Sequence, residues 1–386
     1  MYKVWIGNRE SEILTYNIFN ESITFYGSNT CSNNAFSTDI RIPNRYTSDF
    51  KNYVIKKIEH IIHNYSKVQF HFYNPIFAHR ILKDKPELVN YFVNINEYEI
   101  LKWITSKTFV RQWLSNSISV PAYSLLSKSE CSISNLTTIF CGYSEFIIQK
   151  DISGGGEGTY LLKYFSENEV LEELKDESLY LVSPYYSPKT SVCCHMLIGK
   201  NNIAVFPFGI QTSEIYDNKL LYKGTSYPNI LGFNKNIEHE LFIKAISIGY
   251  RLQKLGYKGI CGLDFILHKG GTFFIEVNTR YLGSTFLINK ALKNKGLPSL
   301  FELNTECFDD EKTLPCETIR NLKIGYASNV TKSKSQLSAN ELQDIIKKNH
   351  NNNLVKIYFD GLENTCEVLK DTYLYRGIYQ CKTLDG

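Results

Sequence analysis

The 386-residue sequence predicts a mixed fold, an α/β layer at the N-terminus followed by α+β units. Strand-like and helix-like segments alternate through the first hundred residues, which is typical of a small α/β layer. A series of short strands follows, interrupted by one long amphipathic helix over residues 237–255. Two further strand-like runs then flank a glycine-containing turn. At roughly 150 residues per domain, this length favours two or three domains.

The N-terminal elements follow from the spacing of apolar residues. Residues 50–65 repeat apolar side chains at helical intervals, whereas residues 67–73 alternate and are rich in β-formers. The pattern is helical again over 76–91. Short apolar bursts at 3–6 and 23–26 predict two more strands.

The later elements have local start and stop signals. Ser106 offers a capping hydroxyl to a helix that runs to Leu114. Gly256 ends the long helix, as a C-terminal glycine commonly does. Strands are predicted at 146–149, 159–163, 179–183, 192–198 and 203–208, with a short helix at 167–176. Towards the C-terminus we predict a connection at 312–324, a helix at 339–348, and strands at 354–359 and 373–382.

Composition excludes several classes of protein. The net charge of +4 is too small to indicate a nucleic-acid partner. The ten cysteines include no CxxC pair and no Cys/His cluster with zinc spacing, which favours reduced thiols in a cytoplasm. The first residues lack the features of a signal peptide and no apolar run reaches 18 residues, so neither export nor a membrane span is expected.

The strongest local signal is a predicted β-hairpin with a glycine-containing turn. If the turn is centred on Gly270, His268 pairs with Thr272. By the same count, Asp264 pairs with Glu276. Directly opposed residues have Cβ atoms about 4.5–5.5 Å apart, so we expect two carboxylates in one small volume.

Opposed like charges need compensation, and a hard divalent cation held by oxygen atoms is the natural candidate. Asn278 lies two residues beyond Glu276 and therefore on the same face of the strand. We predict that Asp264, Glu276 and Asn278 bind a metal, with Arg280 as a cation beside them. A solvated acidic face is the alternative, but the strongly apolar neighbours of the acids favour a partly buried site.

A second signal is the glycine-rich stretch after the strand at 146–149. Glycine allows close backbone approach, so such a loop can direct N–H groups at phosphates. Neither a Walker A sequence nor a dinucleotide fingerprint is present, and a plain hairpin tip is the alternative. The residues concerned are Ser153, Gly154, Gly155, Gly156, Gly158 and Thr159.

Two weaker features leave alternatives open. Cys193 and His195 share one face of a predicted strand and could form a nucleophile–base pair, although the apolar surroundings favour an ordinary buried strand. Gln211 either contacts substrate or nucleotide or lies in a turn.

The two main motifs, in this order and about a hundred residues apart, resemble those of the ATP-grasp superfamily of carboxylate–amine ligases. The resemblance covers residues 1–305 and is most specific over 257–285. It implies a pre-ATP-grasp α/β domain at 1–100, an ATP-grasp domain at 101–305 (lid subdomain about 120–205, metal-site subdomain about 206–305) and a small α+β extension at 306–386.

The resemblance also implies roles for residues. The family's metal ligands match Asp264, Glu276 and Asn278. Arg280 matches the basic residue that faces the acyl phosphate, and Gly283 and Ser284, which follow it, are expected to shape the substrate side. The residues expected to contact ATP are Lys107, Gln149, Lys150, Ser153, Gly154, Gly155, Gly156, Gly158 and Thr159, together with Leu181, Val182 and Ser183 at the adenine-binding hinge.

Two positions depart from the family pattern. The family usually has a lysine at the end of the strand before the lid, whereas this chain has Gln149 there. We expect Lys150 or Lys163 to replace that charge, or Lys107 to contribute more of it. Thr279, where proline is common, changes backbone stiffness rather than chemistry.

The activity implied by the resemblance is ATP-dependent activation of a carboxylate as an acyl phosphate. An amine then displaces phosphate to form an amide or peptide bond, in small-peptide or secondary-metabolite biosynthesis. The implied cofactors are ATP and Mg²⁺, with Mn²⁺ as an alternative, and the implied partners are small-molecule carboxylates and amines. A module that binds ATP without catalysis, and an enzyme that forms an ester or thioester, are the other candidates. The extension at 306–386 is expected to cap the substrate pocket or to mediate a homodimer.

Overall fold

The computed structural model describes residues 1–26, 35–37, 40–42, 47–153, 158–176, 178–187, 189–228, 234–269, 271–350 and 356–381. Within these residues the strands form three sheets, and helices pack on the sheet faces. The predicted mixed α/β and α+β fold is confirmed.

The N-terminal layer is a parallel sheet. The first strands are β1 (Tyr2–Arg9), β2 (Glu21–Tyr26), β3 (Ala35–Ser37), β4 (Ile40–Arg41) and β5 (Val68–Phe72), and the first two helices are α1 (Ser48–Asn64) and α2 (Pro75–Leu82). The sheet order is β3-β2-β1-β5, and β4 belongs to another sheet. Both neighbours of β1 run parallel to it, so the carboxyl ends of β1 and β5 lie at one edge, where α/β sheets commonly bind ligands.

The helix predicted over 76–91 is wrong in its second half. The α-helix ends at Leu82, and a 3-10 helix follows at Pro86–Tyr91. Pro86 explains the break, because a proline disfavours helical geometry in the residue before it. Lys85 accordingly has φ −136° and ψ 67°.

The central part of the chain forms most of one large sheet. Its elements are α3 (Tyr98–Thr105), α4 (Lys107–Leu114), β6 (Ser124–Ser127), α5 (Ile133–Ile139), β7 (Phe146–Lys150), β8 (Thr159–Leu162), α6 (Glu167–Glu173), β9 (Leu179–Pro184), β10 (Thr190–Ile198), β11 (Ile203–Val205), β12 (Gly209–Tyr216), β13 (Lys219–Ser226), α7 (Lys235–Lys254), β14 (Gly259–His268) and β15 (Gly271–Asn278). The main path of the sheet is β15-β14-β10-β12-β13-β8-β7-β9-β6. A single residue pair, Lys219 with Tyr160, joins β13 to β8, so β6 to β9 form a group with little ladder contact to the rest.

Helix α7 covers one face of the strands that carry the acidic hairpin. It buries Leu241, Ala245, Ile248 and Leu252 in a cluster shared with β10 and β14. One of the buried apolar clusters therefore lies directly behind β14. Among the described helices, including this 20-residue one, none is both long and apolar enough to cross a membrane.

The C-terminal part extends the large sheet. Its elements are α8 (Thr285–Asn294), α9 (Leu300–Glu306), α10 (Cys316–Arg320), β16 (Tyr326–Lys332), β17 (Leu337–Ser338), α11 (Ala339–His350), β18 (Lys356–Tyr358), β19 (Glu367–Val368) and β20 (Tyr373–Gln380). β16 pairs with β13 and with β20. The connection predicted at 312–324 contains α10, whose five residues are too few to show a helical period.

The C-terminal part also docks on the N-terminal layer. Arg41, which is 1% exposed, donates hydrogen bonds to the carbonyl oxygens of Phe359 and Tyr373. Its strand β4 pairs with β19. From the other side, the buried Asp360 carboxylate accepts hydrogen bonds from the N–H and hydroxyl of Ser11, both at 3.0 Å. The two ends of the chain are therefore packed together beside the central cavity. The boundaries proposed for the domains stay a prediction.

Candidate active site

The acidic hairpin has the predicted pairing at its functional end and a different one at its turn. Asp264 is opposite Glu276, as expected, but His268 pairs with Gly271 rather than with Thr272. The register changes by one residue between Asp264 and Phe265, which is a β-bulge. Gly270, on which the turn was centred, lies outside the described residues.

The bulge decides which side chains face the cavity. In β15 the buried residues are Thr272 and Phe274 before the bulge and Val277 after it, so the alternation changes phase. If the alternation continued without a bulge, Glu276 would lie on the same core face as Phe274. The bulge therefore turns Glu276 away from the core and towards Asp264.

The three predicted metal ligands contact one another. The Asn278 amide nitrogen lies 3.0 Å from Asp264 Oδ2 and 3.3 Å from Glu276 Oε1. Gln211, on β12 rather than in a turn, donates from Nε2 to Asp264 Oδ1 at 3.0 Å. The carboxylates and amides of β12, β14 and β15 thus converge on one volume.

The surroundings shift the pKa values of the two carboxylates in opposite directions. Burial, and then repulsion from Glu276, raises the pKa of Asp264 well above its ordinary value. Burial also acts to raise the pKa of Glu276, but the Lys107 ammonium and the Arg280 guanidinium hold it below its ordinary value. Without a bound metal ion, the pair is therefore expected to hold a proton on Asp264 and the negative charge on Glu276.

The donor set fits a hard divalent cation. Two carboxylates and one amide supply oxygen atoms, and Mg²⁺ in nucleotide sites usually takes one or two carboxylates and completes its shell with phosphates and water. In the described part of the chain, no three His, Cys, Asp or Glu side chains group closely enough to hold a metal ion. Burial, and then repulsion from Glu276, raises the pKa of Asp264, and a bound cation would stabilise the charged carboxylate against both effects.

Lys107 is placed by the capping signal seen in the sequence. The Ser106 hydroxyl accepts a hydrogen bond from the Phe109 N–H and begins α4. Lys107, the first residue of that helix, is 4% exposed. Its Nζ lies 3.3 Å from Glu276 Oε2 and 3.0 Å from the carbonyl oxygen of Ser153. It therefore links the hairpin to the start of the glycine-rich stretch.

Arg280 connects the hairpin to the N-terminal layer. Its guanidinium donates to Asn278 Oδ1 at 3.2 Å, to the Tyr281 carbonyl at 3.1 Å and to the Tyr73 hydroxyl at 3.4 Å. Tyr73 directly follows β5, at the carboxyl edge of the parallel sheet. This cation thus stands between the acids and the strand ends of the first layer.

These groups line one cavity of about 490 Å³. The predicted residues that line it are Lys107, Gln149, Ser153, Thr159, Ser183, Asp264, Glu276, Asn278, Arg280, Gly283 and Ser284. Lys150, Gly158, Leu181 and Val182 are not among the lining residues. The remaining predicted residues, Gly154, Gly155 and Gly156, lie outside the described part of the chain.

The far end of the cavity is formed by segments that are remote in sequence. Asn8 and Arg9 from the end of β1, and Lys332 and Tyr373 from the C-terminal part, line it with Tyr73. The Arg9 guanidinium lies 4.5 Å from the centroid of the Tyr373 ring. The expectation that the C-terminal part caps the pocket agrees with this placement.

Sequence reasoning missed Arg111 as a cavity residue. Arg111 is 1% exposed, and its NH2 group donates to Gln149 Oε1 at 2.9 Å. The missed signal was the spacing from Lys107, since residues four apart lie on the same helix face. Its partner Gln149 also lies 3.4 Å from the Thr159 hydroxyl.

Cys193 and His195 are held as neutral, buried groups. Burial raises the pKa of the Cys193 thiol far above its usual range and lowers the pKa of His195 to about 3. The imidazole lies 3.3 Å from the Thr285 hydroxyl and is fully buried. An ordinary buried strand, the interpretation favoured by the sequence, agrees with these surroundings, and a thiolate nucleophile does not.

Two opposed carboxylates thus face cations in a cavity between an α/β layer and a large antiparallel sheet. Residues 104–284 match the family described as the ATP-grasp domain. This part of the chain is therefore an ATP-grasp domain.

Individual relatives are distant. A curated relative, the [butirosin acyl-carrier protein]–L-glutamate ligase of Niallia circulans, is 21% identical over 195 residues. That match covers 47% of this chain and 44% of the relative, so the chain spans less than half of the relative's length.

Solved structures share the fold over nearly the whole chain. The carboxyaminoimidazole ribonucleotide synthase of Aspergillus clavatus, complexed with ATP, has a TM-score of 0.65 at 13% identity and covers 100% of this chain and 94% of its own. The biotin carboxylase of Campylobacter jejuni has a TM-score of 0.62 at 12% identity, covering 99% and 87%. Identities this low demonstrate a common fold and no more.

Proposed function

We propose that this protein is an ATP-dependent ligase that activates a substrate carboxylate as an acyl phosphate and transfers the acyl group to an amine. The observation that carries the proposal is the convergence of Asp264, Glu276 and Asn278 with the cations Lys107 and Arg280 in one cavity. Phosphoryl transfer needs little covalent chemistry from a protein; it needs positioning and neutralised charge. Both needs fit these residues.

The relatives support the same class of reaction. One is named as a ligase of L-glutamate and an acyl-carrier protein, and the structural neighbours include a ribonucleotide synthase solved with ATP. ATP and an acyl acceptor are therefore the substrates to test first. The family relation also makes a small-molecule carboxylate a reasonable acyl donor.

Each residue of the cluster has a distinct task in the proposed reaction. Asp264, Glu276 and Asn278 would hold Mg²⁺ or Mn²⁺, which supplies neutralisation of the phosphate charges when it is bound. Lys107, which is buried, and Arg280, which is half-buried, are cations held beside the acids by hydrogen bonds and an ion pair. Cations fixed in advance stabilise charge that develops on a transferred phosphoryl group without having to reorganise.

We assign the proposed substrates to separate parts of the cavity. Ser183 lies on β9, on the side where the nucleotide base is proposed to bind. Gly283 and Ser284 line the same cavity and follow Arg280, on the proposed substrate side. The Ser284 hydroxyl is already held by Tyr227 at 3.1 Å, so it would shape this side rather than react.

The experiment is release of ADP and phosphate from ATP and Mg²⁺ in the presence of carboxylate and amine pools. The pools should contain L-glutamate and the other amino acids, with an acyl-carrier protein as a further acceptor. Products are identified by mass spectrometry. Added hydroxylamine traps an acyl phosphate as a hydroxamate, which separates activation of the carboxylate from transfer to the acceptor.

Glu276→Gln is the matched loss-of-function variant, because it keeps the shape and removes one charge. Exposed Glu311→Gln is its control and should turn over normally. Normal turnover by Glu276→Gln would refute the metal-site assignment. ATP binding without substrate-dependent release across the panel would favour a non-catalytic module, and an ester or thioester product would redefine the acceptor.

A further inference from the structure

The phosphate side of this site lacks an expected charge. Gln149 stands where the family resemblance places a lysine, and two neighbouring lysines were the expected replacements. β7 directs Gln149 into the cavity and Lys150 away from it, since successive strand residues face opposite ways. Lys150 instead packs along Gly158, so closely that a Cβ there would lie 2.7 Å from its Cδ.

Lys163 does not replace the charge either. Its ammonium is 2.8 Å from Glu145 and it does not line the cavity. Lys107 lines the cavity but is already 3.3 Å from Glu276. A cation near Gln149 must therefore come from another element.

Arg111 is that cation. It lies one helical turn after Lys107 on α4, is 1% exposed, and lines the same cavity. Its NH2 group contacts Gln149 Oε1 at 2.9 Å, and its Nε lies 3.4 Å from the carbonyl oxygen of Ile275, the bulge residue. The guanidinium is thus fixed between β7 and the acidic hairpin.

One donor of this guanidinium has no partner. Arg111 NH1 is buried and makes no hydrogen bond to any described group. A buried charged donor without an acceptor is costly, and native structures rarely leave one unmatched. Because the group lines the cavity, an anionic ligand there is the natural acceptor.

Gln149 is suited to hold Arg111 in this position. Its neutral amide accepts from the guanidinium and is near enough to the Thr159 hydroxyl, at 3.4 Å, to be fixed in turn. A lysine at the same position would put a second cation against Arg111. The neutral Gln149 side chain is therefore compatible with Arg111 at this position, whereas a lysine would repel it.

We propose that Arg111, positioned by Gln149, binds a phosphate oxygen of the triphosphate and replaces the missing strand-end lysine. The proposal rests on the proposed function, because it assumes that a nucleoside triphosphate occupies the cavity. The ligand class is the polyphosphate chain rather than the base or the acyl substrate.

Calorimetric titration of the full chain with Mg²⁺-ATP and with adenosine tests the proposal, because adenosine lacks the phosphates. Arg111→Gln should weaken ATP binding by about tenfold or more, as expected for losing a charge-assisted hydrogen bond, and should change adenosine binding less than about twofold. Arg320→Gln, an exposed arginine on α10, is the matched control and should bind both like the wild type.

The decisive variant is the swap Arg111→Gln with Gln149→Lys, which moves the cation to the other position. This double variant should recover most of the ATP affinity that Arg111→Gln loses. If Arg111→Gln alone does not fold, ATP binding is compared instead between the wild type, the double variant and Arg111→Lys. Unchanged ATP binding in Arg111→Gln, an equal loss of affinity for ATP and adenosine, or no recovery in the swap would overturn the proposal. Absence of ATP binding by the wild type would instead refute the proposed function.

Discussion

The acidic hairpin allows a prediction in which binding and stability change in opposite directions. Asp264→Asn removes one of two opposed carboxylates while keeping the shape of the side chain. In the protein without ligand, this should stabilise the fold, because burial and Glu276 both disfavour the charged Asp264. In the presence of Mg²⁺ and ATP, the variant should lose the stabilisation that ligand gives the wild type.

The magnitude follows from the geometry. Charges about 5 Å apart in an effective dielectric of about 20 repel by roughly 3 kcal/mol. Lys107, 3.3 Å from Glu276, and Arg280, which contacts Asn278, offset part of this. We expect Asp264→Asn to raise the free energy of unfolding by about 1–2 kcal/mol, which corresponds to about 2–8 °C in melting temperature for a domain of 150–250 residues.

The assay is thermal unfolding at pH 8, with and without saturating Mg²⁺-ATP. The raised pKa of Asp264 makes its cost grow as the pH rises, so the difference between variant and wild type is largest on the alkaline side. Ligand at 100 times its dissociation constant should raise the free energy of unfolding of the wild type by about 2.7 kcal/mol. Asp264→Asn should show much less of this increment.

Two outcomes would refute the reasoning. A variant less stable than the wild type without ligand would mean that Asp264 makes favourable contacts outweighing the repulsion. An undiminished response to Mg²⁺-ATP would mean that the carboxylate is not part of the metal–phosphate site. Asp344→Asn, at an exposed position on α11, is the control for the substitution itself.

Three further predictions concern stability. Ser106→Ala removes the side-chain cap of the Phe109 N–H and should cost about 1 kcal/mol in urea unfolding; an unchanged midpoint would contradict it. Burial lowers the pKa of Lys189 to about 8. Burying the charged ammonium therefore lowers the free energy of unfolding at pH 7, and this loss becomes smaller as the pH rises from about 8 to 10.5. Lys189→Met should therefore raise the melting temperature at pH 7, and a gain that increased with pH would argue against this. Asp360→Ala leaves two donors of Ser11 without their acceptor and should cost about 2–4 kcal/mol; a cost below about 1 kcal/mol would show that this contact between the chain ends is dispensable.

Local sequence signals predicted a large part of the site. The turn and the alternation of the hairpin set Asp264 against Glu276, and the Ser106 cap set the start of the helix that carries Lys107. These features depend on residues close together in the chain. The hydrogen bonds and periods that define them are therefore visible in sequence.

The details of the hairpin show where that reasoning stops. Counting from the turn gave the right pair of acids, although His268 pairs with Gly271 rather than with Thr272. The bulge at Ile275 shifts the register by one residue, which brings Asp264 back opposite Glu276. A bulge is stabilised by what surrounds it, here including the contact between the Ile275 carbonyl and Arg111, and so it leaves no local periodic signal.

By itself, the sequence determined the mixed fold, the strand pair that carries the acids and the family resemblance, because strand and helix periods, caps and turns are local properties. Only the tertiary structure decided which cations face the acids. It directed Gln149 into the cavity and Lys150 out of it, and brought Arg111 to the glutamine from another element. It also packed Arg41 into the C-terminal part, more than 300 residues away. Such contacts depend on how distant segments pack around a common core, and no spacing along the chain records that.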